Sequence, residues 1–359
     1  MSEQDLSQAL QVQVQAAYEK KSPLQIRAGH SKAFLGHAVN ADVLDVSSHQ
    51  GIINYEPTEL VLTARSGTLL SDIETTLAAE NQMLAFEPPH FGNNATLGGT
   101  IACNLSGPRR AYAGAARDYV LGTRVLNGKG EDLHFGGEVM KNVAGYDVSR
   151  LMTGAMGTLG VLLEVSLKVL PKPEFEITLM QQVNALTAMT RLHEWAQQPL
   201  PISASCFDGE QLMIRLSGTP TAVRAAVQKM GGDTLENADT FWQSIREQTH
   251  EFFAGDKPLW RLSIASTTSS LTVPDKVLSE WGSALRWIKT DLPAAAIQHM
   301  ALAAGGHATL FRPTQLQVEQ SPQEIFQPLP NGLMQLHQKI KTAFDPAAIL
   351  NIGRMYPGI

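Results

Sequence analysis

Cysteine is nearly missing from this sequence: two residues, Cys103 and Cys206, in 359. No C-x-x-C pair occurs, so the chain alone cannot ligate an iron–sulfur cluster or build a cysteine zinc site. A disulfide between the two thiols is not expected in a reducing compartment. A basic excess is missing too. Lys and Arg number 28 against 34 Asp and Glu, a net charge of −6, which argues against a nucleic-acid surface. No apolar run reaches the roughly 18 residues that would span a bilayer. The start, "MSEQDLSQALQVQVQ", lacks the basic and apolar regions of a secretory signal. The expected location is the cytoplasm, with peripheral attachment at the inner membrane only through a partner.

Several catalytic fingerprints are absent as well. There is no G-x-G-x-x-G between a strand and a helix, no G-x-x-x-x-G-K-[ST], no G-x-S-x-G and no H-E-x-x-H. These absences count against a Rossmann dinucleotide site, a Walker phosphate loop, a serine-hydrolase elbow and a zincin.

Glycine is present in clusters, at 92–107 and 136–160. The stretch "TLGGTIACNLSGPRR" (96–110) has few large side chains, too much glycine for a comfortable helix and too much polarity for a buried strand. It reads as a tight turn or as backbone cleared for a ligand. In the second case the N–H groups near Gly98, Gly99 and Gly107 converge on an anion as a nest. Thr96, Thr100, Ala102, Asn104 and Ser106 keep the surroundings small, and the polar ones add hydrogen-bonding groups.

Around these clusters the chain reads as mixed α and β. Residues 5–19 pattern as a helix, and 23–28, 43–46 and 59–64 as short strands. Leu69, Leu70, Ile73 and Leu77 recur at helical spacing. "YVLGTRVLNGKGEDLHF" reads as a hairpin around Asn-Gly, and 161–170 as a long alternating strand. "PKPE" (171–174) is the best linker. Strand and helix pairs between 175 and 230 suggest a second α/β domain, a helix covers 331–343, and no internal repeat is evident.

Three long segments carry a resemblance: "EPPHFGNNATLGGTIACNLSGPRRAYAGAARDYVLGTRVLNGKGE" (87–131), "GGEVMKNVAGYDVSRLMTGAMGTLGVLLEVSLKVLPKP" (136–173) and "FDPAAILNIGRM" (344–355), preceded by "IRAGHSKAFLG" (26–36). Together they resemble the FAD-binding domain of the vanillyl-alcohol oxidase / p-cresol methylhydroxylase type. Within that superfamily the chain is similar to the FAD-binding (E-type) subunits of bacterial glycolate oxidase. The implied fold is α+β: a two-subdomain FAD-binding unit at 1–171, a smaller α/β cap at 172–330, and a C-terminal segment, 331–359, returning to the first unit.

The resemblance also implies a site holding FAD non-covalently. A first loop, Arg27, Ala28, Gly29, His30, Ser31 and Lys32, would grip the pyrophosphate. A second would do the same with Pro88, Pro89, Thr96, Leu97, Gly98, Gly99, Asn104 and Gly107. Lys141, Asn142 and Gly145 would pass beside the cofactor, Gly157, Gly160 and Val161 would face its flavin or adenine end, and Asn351 would bring the C-terminus onto the site. The first loop departs from the family's R-G-G-G-[TS] by keeping one glycine.

Relatives that oxidise 2-hydroxy acids carry a histidine cluster of the H-x-G-D-G-N-x-H kind, whereas this chain has "GGHATLF" with His307 alone as the candidate base. The implied activity is oxidation of glycolate, or of D-lactate, to the 2-oxo acid. Electrons would pass to a second FAD-containing subunit and an iron–sulfur subunit. The thin histidine pattern suggests that the other flavin subunit oxidises the substrate and this one relays electrons. A self-sufficient 2-hydroxy-acid dehydrogenase and an assembly subunit with a vestigial flavin site are the alternatives. Arg109 and Arg110 stay open between cofactor, substrate, partner and plain solvation.

Overall fold

The computed structural model describes residues 4–137, 146–268, 271, 273–314 and 325–359. These divide into two compact units: Met1–Leu105, Ala115–Pro171 and Pro328–Ile359 in the first, Ser106–Gly114 and Lys172–Gln327 in the second. The short segment Ser106–Gly114 thus departs from its neighbours in sequence and belongs to the second unit.

In the first unit, helix Ser7–Lys20 buries Leu10, Val14 and Ala17, the 3–4 residue spacing that puts side chains on one face. They pack with Leu24, Leu44, Leu126, Val161, Leu163, Ile349 and Leu350. Strands Leu24–Arg27 and Asp42–Asp45 run parallel, and Leu24 also bridges Leu350 in parallel, so the C-terminal segment flanks the first strand. A five-stranded antiparallel sheet follows the order Ile52–Glu56, Val61–Arg65, Val161–Lys168, Val120–Leu126, Asp132–Gly136. Its last pair is the expected hairpin, closed by Asn127, whose side-chain oxygen accepts the N–H groups of Lys129 and Glu131. Helix Leu70–Ala79 buries Leu70, Ile73 and Leu77 as the spacing predicts.

The glycine-rich stretch differs from expectation. Leu97–Cys103 is a helix, N-capped by Thr96, whose Oγ1 accepts the Gly99 N–H at 3.3 Å, and closed by Asn104 in the left-handed region. Gly98 is required there because the helix presses against Ser66. The Gly98 N–H donates to the Ser66 carbonyl at 2.7 Å, and a Cβ on Gly98 would lie 2.6 Å from the Ser66 Cβ.

The second unit is built on an eight-stranded sheet, antiparallel at every pairing. Its order is Asp233–Thr234, Phe175–Gln182, Gln211–Gly218, Ile202–Phe207, Val277–Glu280, Leu285–Lys289, Leu259–Ser263, His307–Arg312. Numbered along the chain, the first four strands stand in the order 4-1-3-2 and the last four in the order 2-3-1-4. The unit is therefore a topological duplication, joined where Cys206 pairs with Glu280 and Phe207 with Ser279. Helices Ala185–Ala196 and Pro220–Met230 cover the first half, and Ala294–Ala303 the second. Among the described residues the second half has no counterpart of the first half's opening helix. The sequence shows no repeat because the copies share strand order rather than residues.

Candidate functional site

One cavity of about 310 Å³ lies wholly within the first unit. Its wall includes Arg27 to Lys32 after the first strand, Thr96, Gly98 and Gly99 at the start of the glycine helix, Gly157 and Gly160, and Asn351. These expected residues, far apart in sequence, are therefore brought together. Ala102 and Cys103 of the glycine helix also line it, as do Ser66, Met152, Met156 and Arg354, which were not singled out by the sequence.

Each part of the wall is held by an identifiable bond. Asn351 clamps two segments: its Oδ1 accepts the Ile26 N–H at 2.8 Å and its Nδ2 donates to the Met156 carbonyl at 2.7 Å. Gly157 follows Met156 at φ +74°, where any Cβ would meet the Asn351 amide at 2.6 Å. In the first loop, His30 sits at φ +60°, a region costly for a residue with a Cβ. Gly29 runs against Asn94, whose side-chain amide donates to the Gly29 carbonyl, and a Cβ there would overlap the Asn94 carbonyl.

The electrostatics are one-sided. The lining contains Arg27, Lys32 and Arg354 but, among the described residues, no Asp or Glu. Lys32 is 6% exposed, and its ammonium reaches the His90 carbonyl at 3.3 Å and the Ser31 hydroxyl at 3.4 Å. The Arg354 guanidinium donates to the carbonyls of His37 and Ala33 at 2.7 and 3.1 Å. Burial and the Arg354 charge lower the His37 pKa, which keeps that imidazole neutral. Burial raises the Cys103 thiol against the opposing pull of Lys32 and Arg354, so it stays protonated at neutral pH.

A cationic wall without carboxylates fits a polyanionic ligand. The Ser66 hydroxyl, 1% exposed, has no hydrogen-bond partner among the described residues and lines the same cavity. Such an orphaned buried hydroxyl costs free energy unless a ligand supplies the bond. The residues present therefore fit a dinucleotide with a pyrophosphate. The expected nest does not hold: the N–H groups of Leu97, Gly98 and Gly99 are already taken by Thr68 O, Ser66 O and Thr96 Oγ1. Gly98 serves close packing and Gly99 leaves room at the wall.

Other expected site residues lie elsewhere. Pro88 and Pro89 are buried before His90, which contributes its carbonyl to Lys32. Leu97 and Val161 are core residues, fully buried. Asn104 caps its helix. Gly107 belongs to the second unit, where its carbonyl accepts the Trp281 indole N–H at 3.0 Å. Lys141, Asn142 and Gly145 lie outside the described residues. His307 opens a strand of the second unit, opposite Ser263, and is exposed; partial desolvation and the Arg261 charge still lower its pKa.

Arg109 is also resolved in role. It is 7% exposed, and its guanidinium binds Glu176 at 2.6 Å and Ser217 at 3.3 Å, all inside the second unit. Arg109→Ala is expected to destabilise that unit by about 2 kcal/mol, because it removes the charge-assisted hydrogen bonds to Glu176 and Ser217 and leaves Arg215, 3.9 Å away, as the remaining cation beside the carboxylate. FAD affinity should stay unchanged. A urea titration read beside an FAD titration checks this, and weakened FAD binding at full stability would refute the assignment.

Comparison with known proteins agrees with this geometry. Residues 3–136 match the family described as FAD binding domain. Over 99% of both chains, this one is 48% identical to the glycolate oxidase subunit GlcE of Escherichia coli (strain K12). The glycolate oxidase subunit GlcD of Bacillus subtilis (strain 168) is 32% identical over 184 residues, 49% of this chain and 38% of that protein. An alkyldihydroxyacetonephosphate synthase superposes over 96% of this chain and 74% of its own, with a TM-score of 0.67 at 14% identity, which is a likeness of fold. With FAD as its cofactor and a p-cresol methylhydroxylase-type fold, the chain belongs to the family of glycolate oxidase subunit GlcE.

Proposed function

We propose that this chain is an FAD-holding subunit of a multi-subunit glycolate oxidase, acting on small 2-hydroxy acids with glycolate first and D-lactate second. The cationic, carboxylate-free cavity carries this reading, since it gathers the expected first-loop and C-terminal residues in the family where such a cofactor is held. Residues 1–105, 115–171 and 328–359 form the cofactor domain, and 106–114 with 172–327 the smaller cap domain. Lys32 and Arg354 offset the charge of the pyrophosphate, Ser66 Oγ donates or accepts one bond, and Gly99 and Gly157 keep space for the ring systems. The cofactor is held without a covalent bond. Bound FAD supplies a two-electron acceptor for the CH–OH group.

With two cysteines in the chain, an iron–sulfur relay needs another subunit. The partners are a second flavin subunit resembling GlcD and an iron–sulfur subunit. Among the described residues no helix is long and apolar enough to cross a membrane. The complex works in the cytoplasm or against the inner membrane through its partners. The test is reconstitution: the purified chain should take up FAD, show the visible band of oxidised flavin and melt at a higher temperature. A chain that folds yet stays colourless at saturating FAD would sink the proposal.

A further inference from the structure

Helix Ser7–Lys20 begins at Leu6, whose side chain cannot cap it. The acceptor at this end comes from a distant turn instead: the Leu6 N–H donates to Nδ1 of His49 at 3.0 Å. Beside it, Asp5 Oδ1 accepts the Ser7 N–H and the Ser7 hydroxyl, and Gln4 bridges Gln50. His49 is 0% exposed, and its Nε2 has no hydrogen-bond partner among the described residues. An imidazole that accepts at Nδ1 is neutral and carries its proton on Nε2. His49 therefore holds the start of the helix only while it is uncharged.

The charges facing His49 come from three elements. Asp5, before the helix, lies 3.7 Å from Nδ1 and favours a proton there, but it is 47% exposed and Ser7 already occupies its Oδ1. Arg65, closing strand Val61–Arg65, opposes a proton and reaches the other Asp5 oxygen at 3.8 Å. Glu164, on strand Val161–Lys168, favours one and is paired with Arg124 at 2.6 Å. The neighbouring Leu163 carbonyl is engaged by the Ser66 N–H at 2.8 Å. Burial outweighs the two carboxylates and sets the His49 pKa below its ordinary 6.5.

The turn that carries His49 also backs the cofactor cavity. Val46 lines that cavity, its N–H donates to the Arg27 carbonyl at 2.8 Å, and its carbonyl accepts the His49 N–H at 3.1 Å. The His49 carbonyl accepts the Gly67 N–H at 2.8 Å, and Gly67 follows Ser66, whose unpartnered hydroxyl belongs to the cavity wall. The contact has no slack: a Cβ on Gly67 would meet the carbonyls of Val46, Ser47 and His49 at 2.5, 2.6 and 2.7 Å. A displaced His49 thus carries Val46 and Ser66 with it.

We propose that His49 is a proton-sensitive latch between the N-terminal helix and the cofactor cavity. Neutral, it caps the helix and keeps turn 46–49 against Gly67. Protonated, it sets a second donor against the Leu6 N–H and frees both, so the chain holds its cofactor less tightly in acid. The cofactor part rests on the proposed function; the latch on the helix does not. With the latch open, the imidazole is in water and titrates near 6.5, above its latched value. The latch is therefore fully engaged above that pH and is lost as pH falls below it. His37, also buried and depressed by Arg354, works with the same sign, so variants are needed to isolate His49.

Two measurements on the full chain test this: fluorescence titration with FAD across the pH range, and hydrogen exchange of residues 7–20 without FAD. Exchange is corrected for the intrinsic effect of pH and referred to helix Leu70–Ala79. Between about pH 7.5 and about pH 5.5, wild type should lose about three- to tenfold in FAD affinity, tenfold being the ceiling for one proton, and 7–20 should exchange faster. His49→Asn sets an amide oxygen near the place of Nδ1 and cannot titrate, so it should remove most of that loss, whereas His37→Asn should leave it. His49→Leu, with no acceptor, should exchange fast and bind FAD weakly at every pH. An unchanged pH dependence in His49→Asn would overturn the proposal. So would wild-type exchange in 7–20 that ignores pH, and that result decides even if the variants fail to fold. A folded chain that takes up no FAD at about pH 7.5 defeats the function proposed above, while the exchange readout still judges the latch.

Discussion

Replacing Gly98 by valine is expected to cost about 3 kcal/mol of stability or more and to weaken FAD binding at least about tenfold. The added Cβ would lie 2.6 Å from Ser66 Cβ, 3.0 Å from Ser66 O and 3.3 Å from Ser66 Cα, so it meets backbone that cannot swing away. The helix that would have to move is anchored by Leu97, Thr100 and Ile101, all fully buried. It also supplies Gly99, Ala102 and Cys103 to the cavity wall, so its displacement reshapes the ligand's surroundings. Gly99→Ala is the internal control. Its Cβ would meet the Thr96 hydroxyl at 3.2 Å and nothing else nearby, and a small rotation relieves that. Urea denaturation with FAD titration reads both effects. A Gly98→Val protein with the wild-type midpoint would show that the helix does not press on Ser66.

Lys341→Met is expected to be comparably severe, at about 3–5 kcal/mol. The Lys341 side chain is 4% exposed and its partner Asp345 is 0% exposed, with 2.7 Å between Nζ and Oδ2. The ammonium also donates to the carbonyls of Thr158 and Leu350 at 2.7 and 2.8 Å. Asp345 in turn accepts the N–H groups of Ile349 and Leu350. Removing the lysine leaves a buried carboxylate without its counter-charge and two carbonyls without a donor. Because Leu350 precedes Asn351, the damage reaches the clamp on Ile26 and Met156, so FAD affinity should fall as well. Lys341→Met combined with Asp345→Asn removes the uncompensated charge and should recover part of the loss. If the single variant unfolds at the wild-type urea concentration, the pair is not the tether described.

The strands and amphipathic helices were legible because their signals are local. Val161 to Lys168 alternates, Leu70, Ile73 and Leu77 repeat at helical spacing, and Asn127 announces its turn. The glycine helix was misread because glycine content outweighed two weaker cues: a threonine cap at 96 and the apolar pair Leu97 and Ile101 four residues apart. Gly98 answers to Ser66, more than thirty residues away, which no local pattern reveals. The same holds for the cavity wall. Arg27 to Lys32 could be found from their loop, but Arg354 and Cys103 join it only through tertiary packing. Arg109 and Arg110 follow the glycine loop in sequence, yet the chain crosses there into the second unit, where Glu176 and Trp281 await them.

The clamp between Asn351 and Ile26 ties residues 325 positions apart and also sets an order of assembly in the cell. Synthesis at roughly 5–20 residues per second separates the two by about 16–65 s. Throughout that interval the first strand waits beside an empty flank, while the whole of Lys172–Gln327 emerges and has time to fold. The nascent chain therefore cannot close the pocket around a nucleotide before the ribosome has delivered Asn351. Cofactor capture is in this way a late event, made to depend on residues synthesised after the second unit.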